Sequence, residues 1–125
     1  MNVRFFTESD YPTVCSWWKD HEWPSIPLIF LPKTGIIVDD CAVGFVYGTD
    51  SKLCWLEFVV VDKRAEKERR RKALDVLISE ATNIAKECGY VAMFSSVSHK
   101  GLIERYKNHN FQITDQNMTN LIRTL

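Results

Sequence analysis

The segment from Lys63 to Lys72 holds seven cations, Lys63, Arg64, Lys67, Arg69, Arg70, Arg71 and Lys72, against the carboxylates Glu66 and Glu68. Guanidinium forks grip phosphate oxygens in pairs, so the stretch is a candidate anion site; its other reading is a solvated, charged helix start. So dense a cluster exceeds what solvation needs and favours the anion site. Just upstream, Glu57 is the only charge inside the apolar run Leu53–Val61. A carboxylate placed there loses hydration, which disfavours its charged form, raises its pKa and makes it a stronger base. The competing reading is a structural ion pair with an Arg or Lys. His21 and His109 lack partners at triad or zinc spacing. Cys15, Cys41, Cys54 and Cys88 are scattered without CxxC spacing and read as buried thiols.

These groups must be held by regular elements. Leu53–Val61 is β-branched and aromatic, as a strand buried on both faces should be. Asp62 to Lys72 reads as a turn. From Ala73 the period becomes helical: Leu74, Leu77, Ile78, Ala81, Ile84, Ala85 and Cys88 share one face, and Gly89 ends the helix. A strand feeding a helix through free main-chain donors favours an anion at the helix start.

The remaining chain supports that unit. Val3–Phe6 is a short strand. A helix follows the capping residues Thr7 to Asp10, takes Pro12 in its first turn, runs through Trp17 and Trp18, and stops before Pro24. Trp23 to Pro32, with three prolines, reads as an ordered loop at a pocket rim. Trp17, Trp18 and Trp23 are either core or, with Phe30, the wall of an acceptor pocket. Gly35–Val38 and Cys41–Tyr47 form a hairpin about Asp39-Asp40. Tyr90–Phe94 is a buried strand, Ser98 caps a helix over Lys100–Asn108, and Phe111–Thr114 and Thr119–Leu125 are expected as final strands. The order is β-α-β-β-β-α-β-α-β-β, with a right-handed parallel crossover between Leu53–Val61 and Tyr90–Phe94.

At 125 residues with zero formal charge, the chain is expected to be one domain over residues 1–125. Zero balance, and a single short basic segment without interleaved aromatics, argue against a nucleic-acid binder. No apolar run reaches membrane-span length and the first residues lack a signal-peptide form, so a cytoplasmic protein is expected.

With these residues the order resembles the GNAT superfamily of acyl-CoA-dependent N-acyltransferases. Val61-Asp62-Lys63-Arg64 leading into Ala73-Leu74 is similar to the family's strand, turn and acyl-CoA helix. Tyr106-Lys107-Asn108-His109-Asn110-Phe111 is similar to its late Tyr-x-x-x-Gly-Phe segment, with Asn110 where a glycine is usual. Trp17-Trp18, Phe30-Leu31-Pro32, Trp55-Leu56-Glu57 and Asn117-Met118-Thr119 further resemble small acetyltransferase-like proteins of phage genomes. The chain departs from the family at the phosphate turn, where Glu66, Arg69 and Arg71 occupy the positions of the usual Arg or Gln, Gly, and Gly or Ala.

The resemblance implies an α+β fold in three α/β/α layers, a mixed and mainly antiparallel sheet with one splayed parallel pair, and acetyl-CoA as co-substrate. Phe58, Val59, Val60 and Val61 would pair with the pantetheine arm, an N–H near Val59 would polarise the thioester carbonyl, and pyrophosphate would lie over Lys67, Glu68, Arg69, Arg70, Arg71 and Lys72. His99, where relatives carry a CoA-contacting Asn, is either a contact or a cap. Glu57 would take a proton from an amine whose reference pKa is about 10.4. Tyr106 would protonate the departing thiolate, its other reading being a core tyrosine. The implied activity is acetyl transfer to a primary amine of a small molecule or protein. The alternative is a non-catalytic fold, phage-encoded, that binds a host or virion protein. A homodimer through the C-terminal strands is a further implication.

Overall fold

The computed structural model describes residues 1–125. A five-stranded sheet runs β1 (Val3–Phe5), β2 (Gly35–Val38), β3 (Ala42–Tyr47), β4 (Leu53–Val61) and β5 (Ala92–Phe94) in spatial order, every pair antiparallel except β4 with β5. Helix α1 (Tyr11–Asp20) covers one face; α2 (Lys67–Glu87) and α3 (Lys100–Lys107) cover the other. This is the expected three-layer α+β arrangement, and its first eight elements follow the expected order.

Two cores flank the sheet. On the α1 side Val14, Trp17 and Trp18 pack on Ile37, Val43, Phe45 and Val60. Trp17 and Trp18 are thus core residues and do not line the aromatic cleft described below. On the other side Ala73, Leu77, Ile78, Ala81 and Ala85 of α2 pack on Cys54, Leu56 and Val59. The β2–β3 hairpin closes through Cys41 N–H to Val38 C=O at 3.0 Å, with Asp39 and Asp40 both at positive φ (51° and 47°). With Val38 paired to Ala42, residues 39–41 make a three-residue loop whose two aspartates are left-handed. Arg69 donates to the Asp39 carboxylate (2.7 Å) and carbonyl (2.6 Å), while Arg4 bridges Asp40 and Asp10. Arg4 holds the Asp10 carboxyl down at about 2.

Four expectations are corrected. Helix α2 begins at Lys67 rather than Ala73, because Lys, Glu and Arg are good helix formers and no Gly or Pro interrupts them. Cys88, at its end, is exposed instead of lining the apolar face; Gly89 does terminate the helix, at φ 87°. The strand after α2 is only Ala92–Phe94 and lies at the sheet edge, with Val91 and Phe94 exposed. Residues 111–125 form no strand: a ladder needs a partner edge, none is paired there, and Ile113, Met118, Leu121, Ile122 and Leu125 are exposed. No helix is long and apolar enough to cross a membrane.

Candidate active site

The site begins with a defect in β4. Along β3, Phe45 pairs with Glu57 and Val43 with Val60, so two steps on one strand face three on the other. Phe58 absorbs the extra residue at φ 56°, a left-handed conformation that costs a non-glycine residue about 1–2 kcal/mol. Gly44 stands opposite; a Cβ there would lie 3.1 Å from Val59 and 3.2 Å from Leu56 and Leu77. The bulge resets the alternation, sending Val59 to the α2 core and Val60 to the α1 core. Simple alternation would put Glu57 and Phe58 on opposite faces. Instead both line one cleft.

Parallel pairing of β4 with β5 stops at Trp55 opposite Phe94, and beyond it the strands part. Main-chain direction along the freed edge follows from the hydrogen bonds. Asp62 N–H donates to Cys41 C=O (2.7 Å), toward β3, so Val61 points away from β3, Val60 toward it and Val59 away. Val61 C=O accordingly meets His21 Nε2 at 3.0 Å. Of the four residues considered for strand-like pairing, Val59 presents its main chain and Val61 its N–H to the gap, the Val61 carbonyl being taken by His21. Val60 turns its own to β3, and Phe58 contributes its ring.

The cleft, about 470 Å³, opens beside this gap. Four rings, Phe30, Tyr47, Trp55 and Phe58, form its walls, and Glu57, Ser96 and Asn120 supply polar groups. Phe30 and Glu57 are the residues expected near a pocket; Tyr47, Trp55, Ser96 and Asn120 are additions from the structure. Alternation along β4 puts Trp55 with Glu57, a readable signal, whereas Asn120 arrives by the path of the C-terminal segment, which no local pattern encodes. Tyr47 donates to Phe30 C=O (2.7 Å) and so fixes the loop that holds Phe30. Trp23 stacks on His21 outside the cleft (4.6 Å, 18°).

Glu57 makes no ion pair; its Oε1 accepts from Ser96 N–H at 2.9 Å. The structural pairing considered for it is therefore absent. Burial raises its pKa above the ordinary carboxylate value, and the Ser96 bond opposes this in part. Tyr106 on α3 is 5% exposed and stacks on Phe111 (4.9 Å). Ser95 Oγ lies 2.6 Å from Leu56 C=O and 3.0 Å from Tyr106 Oη. A carbonyl only accepts, so the single Ser95 proton goes to Leu56, and Tyr106 then donates to Ser95. Burial pushes the Tyr106 phenol up to about 12. The relay ends on Leu56, next to the last paired residues, at the apex of the gap.

At the other end of the gap is the start of α2. Its first helical bond runs from Arg70 N–H to Glu66 C=O (2.9 Å), and no side chain caps it. The amides of Lys67, Glu68 and Arg69 therefore lack helical acceptors. The cations sort into two groups. Arg69 is held by Asp39, Arg71 by Glu68 (3.3 Å), and Arg64 by Asp62 (3.2 Å) and Asp20 (3.6 Å), while Lys63 reaches Asp20 C=O. Lys67, Arg70 and Lys72 have no ion pair. Arg70 continues the sheet-facing stripe of α2, three residues before Ala73, shares a face with Lys67, and has a buried Nε without an acceptor. His99 caps α3, its Nδ1 accepting from Leu102 N–H at 3.2 Å. Asn110 takes the left-handed conformation (φ 69°) that suits a glycine position.

No protein-family model and no curated protein matches the sequence. Solved structures match it in fold. A probable acetyltransferase superposes with TM-score 0.73 at 19% identity, covering 100% of this chain and 98% of its own. An acetyltransferase of Trypanosoma brucei gives 0.69 at 16% identity, covering 97% and 99%. Rv2747 of Mycobacterium tuberculosis, solved in complex with CoA, gives 0.73 at 15% identity, covering 95% and 76%. The chain thus has the fold of the GNAT acetyltransferases.

Proposed function

We propose that this protein is an acetyl-CoA-dependent N-acetyltransferase acting on a primary amine. The observation that carries the reading is the placement of two dissimilar sites about one strand gap. An unpaired carboxylate in an aromatic cleft lies on one side, and an uncapped helix start with free cations on the other.

The residues fit a CoA thioester. The N–H groups of Val59 and Val61 face the gap and suit an extended pantetheine arm. The amides of Lys67 to Arg69, with the Lys67 and Arg70 side chains, suit a diphosphate; the buried Arg70 Nε without an acceptor is what such an anion would complete. Arg69 and Arg71, standing where glycines are usual, turn to Asp39 and Glu68. Positive φ is not needed there, because the segment is already helical.

Acetyl-CoA supplies an acyl carbon joined to a good thiolate leaving group. Val59 N–H donates to the thioester carbonyl oxygen as charge builds on it. Glu57, directly or through water, takes one proton from the acceptor's ammonium. The freed nitrogen bonds to the acyl carbon, the C–S bond breaks, and its electron pair leaves on sulfur. Tyr106 turns its proton from Ser95 to that sulfur and recovers one from solvent, while the nitrogen loses its second. The balance is one ammonium and one thioester to one amide, one thiol and one proton.

With acetyl-CoA and a primary amine, the protein should release free thiol in proportion to its concentration, matched one to one by acetylated amine in mass spectrometry. Thiol release without amide, or none over an amine panel despite bound acetyl-CoA, contradicts the assignment.

A further inference from the structure

The acceptor cleft carries more information than the reaction class. Its walls are four aromatic rings, and its only acidic or basic side chain of the Asp, Glu, Lys, Arg or His type is Glu57. Edge-to-face contacts hold the rings: Tyr47 against Phe58 at 6.1 Å and 72°, and Trp55 against Phe94 at 5.2 Å and 83°. Tyr47 is further fixed by its bond to Phe30 C=O. Glu57 accepts from Ser96 N–H on Oε1 and faces no cation of the protein. No Lys, Arg or His lines the space, and Ser96 and Asn120 at the margin are neutral.

Each feature selects. An ammonium meets one carboxylate and several ring faces, both attractive to a cation. A carboxylate or phosphate on the acceptor meets Glu57 with no cation to offset the repulsion. A second ammonium finds no second carboxylate and gives up hydration for nothing comparable. An uncharged aliphatic or aromatic body removes ring surface from water.

We infer that the cleft receives a single ammonium carried on an uncharged apolar stem, aliphatic or aromatic, and turns away acceptors bearing an anion or a second cation. The inference rests on the acetyltransferase reading for the chemical step, but binding can be read alone. A free arylalkylamine and a lysine side chain share this chemistry, and the assay separates them.

Dissociation constants are measured by ligand-observed NMR for phenethylamine, Nα-acetyl-lysine methylamide, glutamate and spermidine, with the part of the tryptophan fluorescence change that is lost in Trp55→Phe as a second readout. Phenethylamine and the lysine derivative should bind at least about tenfold more tightly than glutamate and spermidine. Glu57→Gln should weaken both by about tenfold, and Trp55→Ala should weaken phenethylamine more than the lysine derivative. A lead for phenethylamine identifies a free aromatic amine as the source; a lead for the lysine derivative identifies a protein side chain. Glutamate or spermidine binding as tightly, or no amine binding at all, overturns the inference. The predicted order without thiol release upholds the cleft's selectivity and refutes the transfer reading alone.

Discussion

Replacing Glu57 by glutamine should lower turnover by about 10²–10⁴-fold while leaving the melting temperature unchanged or higher. The two effects separate because the side chain does two things. Its oxygen accepts from Ser96 N–H, which a glutamine carbonyl also does, and its charge sits unpaired and partly desolvated, which glutamine relieves. The pH dependence has the matching sign. Because burial raises the pKa, the carboxylate form is lost at a higher pH than for an ordinary Glu. The rate should therefore fall as pH drops through that raised value, and Glu57→Gln should abolish this limb. The folded state binds the proton more tightly than the unfolded chain, so stability from this group is present below the unfolded pKa and lost as pH rises through the folded one. Turnover near wild type in the glutamine variant would remove Glu57 from the chemistry.

Tyr106→Phe should cost about 10²-fold in kcat and leave the acetyl-CoA dissociation constant within about twofold. The ring, its stack on Phe111 and its core position all survive in phenylalanine. What disappears is a phenol, its pKa pushed up to about 12 and so protonated at neutral pH, that donates to Ser95. Ser95 retains its bond to Leu56, so the stability loss should be about 1 kcal/mol. A fall in affinity with kcat unchanged would make Tyr106 a packing residue and nothing more.

Much of this architecture is readable from residue types. The bounds of β4 follow from its apolar run, the β2–β3 hairpin from two aspartates between strands, and the α2 stop from Gly89. Glu57 stands out because no other charge interrupts β4. The β-bulge does not stand out: Phe58 in a left-handed conformation violates local propensity, and only pairing with β3 across Gly44 enforces it. That one violation places Glu57 and Phe58 in one cleft. The basic segment misleads in another way, because composition counts seven cations while long-range pairing commits Arg69 to Asp39 and Arg64 to Asp20, and a local helix pair takes Arg71 to Glu68. Only the fold distinguishes Arg70, by carrying its stem onto the sheet-facing stripe. The apolar spacing of residues 119–125 is strand-like, yet no neighbouring edge in the chain receives it.

The central claim is that the start of α2 grips a nucleotide diphosphate without glycines, and isothermal titration of acetyl-CoA into the protein tests it most directly. Saturable binding is predicted, weakened by about tenfold to a hundredfold in Arg70→Ala, which loses a charge-assisted phosphate contact. No heat and no thermal shift at millimolar acetyl-CoA would contradict the claim and leave the scaffold to serve as a binding protein.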